Sequence, residues 1–120
     1  MIYLCYSTGT VLYDAPDRFW IYFGHKSLSE CPRTTVLQSD IIVEVPEMKY
    51  PETMELGETY ALRGRVVKDR YNRPDRWVEM VFELGVAVNG QDVMPKLHYI
   101  EEIEPNEEDF RAQEAAKNVG

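Results

Sequence analysis

Two runs in the second half of the chain alternate so regularly between apolar and charged residues that they admit only one local structure. In residues 60–68, Leu62 and Val66 share one parity while Arg63 and Arg65 share the other; in residues 77–84, Val78, Met80, Phe82 and Leu84 alternate with Glu79 and Glu83. Alternate side chains of a strand point to opposite faces. The two runs therefore read as a half-buried antiparallel pair, one face in a core and the other in solvent. Pairing the charged faces sets Arg63 and Arg65 near Glu79 and Glu83, where each opposite-charge contact contributes roughly 0.2–1 kcal/mol. These two arginines are expected to be structural.

The rest of the first hundred residues repeats this pattern in shorter pieces, with β-branched and aromatic runs bounded by Gly, Pro, Asn and Asp. Residues 2–6 and 10–13 flank Ser7, Thr8 and Gly9 as a first hairpin. Asp14, Ala15, Pro16 and Asp17 form the next turn, and residues 18–24 the third strand. Residues 25–33 read as a loop in which Ser27 and Glu30 have capping-box spacing and Pro32 stops any helical turn. Residues 34–37 and 41–45 are strand candidates, or one bent strand, around Gln38, Ser39 and Asp40, and residues 46–57 form the longest polar connection. Gly85 marks a bulge before residues 86–88. Asn89 and Gly90 suit a type I′ turn, and residues 92–94 and 96–103 complete the sheet. The end is helical: Pro105 and Asn106 introduce Glu107, Glu108 and Asp109, with Lys117 near the far end, an order that suits the helix dipole. Phe110 is its one large apolar residue, so the helix is expected to dock weakly.

At 120 residues the chain has room for one core, and 44% hydrophobic with 28% charged residues is ordinary globular usage. The fold expected is mostly β, a small antiparallel β-barrel or sandwich with a short C-terminal helix. Residues 1–104 would form the barrel and 105–120 an acidic helix or tail. Residues 56–67, a Gly-Glu turn feeding an Arg-Gly-Arg strand, resemble the strand beginnings of OB and SH3-like barrels over about a tenth of the chain.

Charge is distributed unevenly on this scaffold. Six of the thirteen basic residues lie within residues 63–76, opposed there only by Asp69 and Asp75, in a chain of net charge −8. With Arg63 and Arg65 assigned to the sheet, Lys68, Arg70, Arg73 and Arg76 crowd the end of the hairpin with Tyr71 and Trp77. Guanidinium forks beside flat rings are the composition of an interaction hot spot, so these six residues are the expected partner-binding site. A second surface is Glu101, Glu102, Glu104, Glu107, Glu108 and Asp109, whose spaced carboxylates could mimic a phosphate backbone and occupy a basic cleft. Trp20 and Tyr22 lie on the opposite parity from Phe19, Ile21 and Phe23, and form either a covered face or a stacking platform for bases.

Other classes find little support. Cys5, His25, Cys31 and His98 lack the short paired spacing of a zinc site. Two cysteines are too few for a disulfide-stapled domain. No Gly-rich phosphate loop and no nucleophile–base arrangement stands out, so neither a cofactor nor catalysis is expected. No run approaches the roughly 18 apolar residues of a spanning helix, and residues 1–13 lack a basic n-region, which points to a cytoplasmic protein without membrane contact. The function expected is a non-enzymatic protein-interaction module that binds, and by its acidic body inhibits, a protein partner, in the manner of small phage or mobile-element inhibitors. The alternatives are a single-stranded nucleic-acid-binding barrel, and a small anionic-ligand binder or enzyme.

Overall fold

The computed structural model describes residues 1–8, 18–46, 55, 57–73, 75–84 and 95–118. The strands are β1 (Ile2–Ser7), β2 (Arg18–Phe23), β3 (Ile41–Val45), β4 (Thr59–Asp69), β5 (Trp77–Leu84) and β6 (Pro95–Ile103), joined by helix α1 (Arg33–Gln38) and followed by helix α2 (Glu107–Asn118). They form one six-stranded sheet in the order β2-β1-β3-β4-β5-β6, with every neighbouring pair antiparallel. The sheet curls into a half-barrel, as expected for a mostly β chain with a C-terminal helix. No described helix is long and apolar enough to cross a membrane.

The curl originates in β4. From Thr59 to Arg65 this strand pairs with β5, and from Arg65 to Asp69 with β3, so it lies diagonally between its neighbours. Gly64 sits where β3 presses directly against β4. A Cβ there would meet the Glu44 carbonyl oxygen and stand 2.7 Å from Val43 Cγ1 and 2.9 Å from Val45 Cγ2. Only a residue without a side chain lets β3 and β4 come together at this angle. Register shifts at Ile42/Val43 and at Val81/Phe82 add further bend.

The concave face holds the main core, in which Ile2, Leu4, Val43, Val45, Leu62, Val66, Met80 and Phe82 are almost wholly buried. The rings of Phe19 on β2 and Phe82 on β5 meet at 5.3 Å, linking the two sides of the curl. The alternation read in β4 and β5 is what places Leu62, Val66, Val78, Met80, Phe82 and Leu84 inside.

Residues 34–37 are a helix and not a strand. Thr34, Thr35 and Val36 favour β structure by propensity, but Pro32 opens α1, and the Val36 and Ser39 N–H groups donate to Pro32 O and Thr35 O at 3.0 Å each. The helix turns Val36 onto a second buried cluster of Tyr3, Cys5, Cys31 and Ile42 on the convex face, a tertiary gain that overrides propensity. Ahead of it, Leu28–Glu30 is a single 3-10 turn that Ser27 precedes without a side-chain cap, Glu30 instead accepting the Lys26 N–H at 2.9 Å. The expected strands and turns at residues 10–17, most of the 46–57 connection, Gly85, residues 86–88, the Asn89–Gly90 turn and residues 92–94 lie outside the described residues.

Candidate functional site

The convex face of the sheet carries one row of side chains across all six strands. Strand register aligns Tyr22, Tyr3, Glu44, Arg65, Trp77 and Ile103 from β2 to β6. The row begins aromatic with Tyr22 and Tyr3, is ionic at Glu44 and Arg65, and ends on Trp77 and Ile103; α1 lies on its aromatic start and α2 on Glu44 and Trp77.

At its centre, Glu44 is a nearly buried carboxylate in the otherwise apolar run Ile41–Val45. The Tyr3 hydroxyl donates to Glu44 Oε2 at 3.2 Å, Gln113 Nε2 donates to Oε1 at 2.6 Å, and the Arg65 guanidinium stands 3.7 Å away. Burial and then the adjacent Glu44 charge push the Tyr3 hydroxyl well above its ordinary pKa, so it remains a donor. Arg65 also reaches Asp75 at 3.5 Å. Arg63 stands opposite Glu79 in the register, yet its guanidinium bonds Asp109 at 3.0 Å and the Glu104 carbonyl at 3.3 Å. The cross-strand pairing expected with Glu79 and Glu83 is thus replaced by partners on β3, α2 and the β4–β5 loop. A carboxylate removed from water binds a guanidinium more strongly than one on an open sheet face.

The loop after β4 is folded back on the sheet. Asp69 Oδ1 accepts the Tyr71 N–H at 2.8 Å, and the Asn72 N–H donates to Asp69 O at 3.0 Å. Asn72 and Asp75 take left-handed φ values of 60° and 65°, which Asn and Asp tolerate better than most residues. Asp75 N–H donates to Val66 O at 3.0 Å, and Val66 N–H to Arg76 O at 2.7 Å, closing the loop.

This folding engages most of the expected cationic site. Lys68 Nζ donates to the carbonyls of Val36 and Leu37, capping the end of α1 where a cation suits the helix dipole. Arg76 bonds Asp69 and the Arg73 carbonyl. Arg70 bonds Asp40 at 2.8 Å, and Arg73 stands 3.5 Å from Glu102. Burial opposes the charged form of Asp40, but hydrogen bonds from the Thr8 hydroxyl and N–H and from Arg70 outweigh it and hold the pKa below its ordinary value. Asp69 behaves alike: Arg76 and the Tyr71 N–H outweigh burial. Trp77 is only 7% exposed, with Phe110 edge-on to it at 5.9 Å. Of the six expected site residues the loop presents Arg70, Tyr71 and Arg73 to solvent, Tyr71 78% exposed, alongside exposed Asn72 and Asp75.

The acidic segment is more open. Glu101, Glu102, Glu104, Glu107 and Glu108 are all exposed, running from the edge strand β6 into the first turn of α2. Asp109 is 1% exposed and structural: its N–H donates to Asn106 Oδ1 at 2.9 Å, and its carboxylate accepts the Asn106 N–H at 3.0 Å and Arg63. This reciprocal cap starts the helix. Trp20 and Tyr22 are half-buried against the α1 side. Tyr22 stacks on His25 at 5.8 Å and shares a hydrogen bond with Thr35 at 3.0 Å.

Cys5 and Cys31 are free thiols buried together in the convex cluster, and burial pushes Cys5 up to about 12. Among the described residues no three His, Cys, Asp or Glu side chains gather as metal ligands. Tyr3, Asp40, Glu44 and Gln113 were not legible as polar anchors, although a lone carboxylate inside Ile41–Val45 signals a buried partner. No protein-family model, curated protein or solved structure matches the chain.

Proposed function

We propose that this protein is a non-enzymatic interaction module whose acidic β6–α2 face binds a basic surface of a partner protein, inhibiting it by occupying a cleft that otherwise holds a nucleic-acid backbone. The observation that carries this reading is the contrast between the two charged surfaces. The cations of residues 68–76 are largely committed to carboxylates and carbonyls of their own chain. Five glutamates of residues 101–108 are exposed, Glu102 and Glu107 among them in ion pairs with the exposed Arg73 and Arg111, on a chain of net charge −8. Such a surface steers a cationic partner and repels polyanions. Exposed Tyr71, Arg70 and Arg73 adjoin it through the Arg73–Glu102 pair and supply rim contacts. Like small acidic inhibitors of phage or mobile-element origin, it would act in the cytoplasm, where its targets are.

The test is capture from nuclease-treated source lysate on immobilised protein. Wild type retains a basic protein that is released by salt and by added DNA, and the variant with Glu101, Glu102, Glu104, Glu107 and Glu108 all changed to Gln does not. Undiminished capture by the variant refutes the acidic face. Binding of a labelled single-stranded oligonucleotide at low salt, weakening steeply as salt rises, would instead establish the nucleic-acid-binding reading.

A further inference from the structure

None of the described side chains of helix α2 belongs to the concave core. Among its described contacts with the convex face are the Asp109 carboxylate on Arg63 at 3.0 Å, the Gln113 amide on Glu44 at 2.6 Å, and the edge contact of Phe110 with Trp77. Asp109 and Gln113 are 1% and 6% exposed, whereas Phe110 is 55% exposed, and Ala112 is the one apolar residue buried on the described part of the helix. The described part of the seat is thus mainly polar, with one aromatic contact and one buried alanine. Polar contacts largely replace contacts with water, so their net contribution is small. Arg63 Nε, Arg65 Nε and Gln113 Oε1 are buried there without a protein hydrogen-bond partner, which weakens the attachment further.

The helix also carries its own cap. Its Asn106–Asp109 cap lies within its own segment, so the N-terminus stays capped whether or not the helix is seated. Only Glu104, Pro105 and Asn106 join it to β6, and a short hinge of this kind favours exchange between copies over large excursions. The face it uncovers presents a guanidinium for a carboxylate, a carboxylate for an amide and an indole for a ring. Among the described segments, α2 itself offers that set in that order.

We infer that α2 is a detachable latch, and that the convex face made by Tyr3, Glu44, Arg63, Arg65 and Trp77 is a docking surface for α2 of a second copy of this chain. Exchange gives each copy the contacts it relinquishes, so the reciprocal dimer forms without any new interface chemistry. This inference stands apart from the proposed partner, because its test reads only self-association and helix protection.

Arg63→Asp and Asp109→Arg each place like charges at the latch of a closed monomer. Purified separately, each variant is expected to be monomeric by sedimentation, with α2 amides exchanging with solvent faster than in wild type; because Asp109→Arg also loses the bond from the Asn106 N–H, its α2 exchange is compared with that of the double variant, which lacks the same cap bond. Mixed in equal amounts, each variant's sheet carries the charge that suits the other's helix. The mixture is expected to sediment at twice the monomer mass, with α2 protection raised to the level of a chain carrying both substitutions. A chain carrying both substitutions regains the wild-type complementarity, is expected to match wild type in its balance of closed monomer and exchanged dimer, and establishes that neither change prevents folding. A mixture that stays monomeric while the double variant is folded overturns exchange. In wild type, α2 amides are expected to exchange on the order of a hundredfold faster than those of β1 and β3, and equal protection overturns the latch itself.

Discussion

Two helices cover the same convex sheet face by opposite chemistries. The six-residue α1 and the turn before it bring Leu28, Cys31 and Val36 onto Tyr3, Cys5 and Ile42, and Lys68 caps the last carbonyls. The twelve-residue α2 brings Asp109 and Gln113 onto Arg63 and Glu44. The longer helix has the weaker seat. Attachment follows the chemistry of the row beneath, because apolar area removed from water contributes roughly 25 cal/mol per Å² while exchanged hydrogen bonds contribute little net.

The comparison breaks most visibly on the α1 side. Ile42→Ala is expected to cost about 2–5 kcal/mol, since it opens a cavity in a fully buried apolar cluster. Urea unfolding followed by Trp fluorescence should show one cooperative transition at a lower midpoint, and an unchanged midpoint would contradict the apolar seat. Gly64→Ala strikes both halves by pushing β3 from β4, with an expected loss of about 1–3 kcal/mol in the same measurement.

Titration separates the two ends more gently. Asp40 and Asp69 have folded-state pKa values below their unfolded ones, so the unfolded chain binds more protons in acid. Their contribution is complete above the unfolded carboxylate value of about 4 and is lost as pH falls through the depressed folded values. Cys5 has the opposite sign: the unfolded thiol ionises from about pH 8.5, whereas the folded one holds its proton to about 12. Stability is therefore expected to decline across that alkaline interval, and Cys5→Ala should remove part of the decline. Thermal melts from pH 2 to 11 test both limbs. The smallest effect belongs to Arg73→Ala, whose pair with Glu102 is exposed on both sides; a change within about 0.5 kcal/mol is expected.

The hairpin of β4 and β5 was legible because its signal is local: alternation along one strand states which face is buried. The helical end was equally legible from Asn106 and the acidic first turn. Helix α1 was not, because Thr34, Thr35 and Val36 individually prefer strands and only burial on the Tyr3 cluster selects the helix. The cationic site was legible as composition but not as availability. Nothing near Lys68 in sequence announces that carbonyls 31 and 32 residues away will take its charge.

By itself, then, the sequence determined the fold class, the faces of the strands and the sign of each charged segment, all of which depend on neighbours a few residues apart. Only the tertiary structure decided which charges pair within the chain and which stay exposed. Glu44 meets Tyr3 across 41 residues and Gln113 across 69, and Arg63 meets Asp109 across 46. A charge chooses its partner by distance in space and by how much water surrounds the pair. Both are set by how the sheet curls around Gly64, and periodicity along one strand carries no record of that curl.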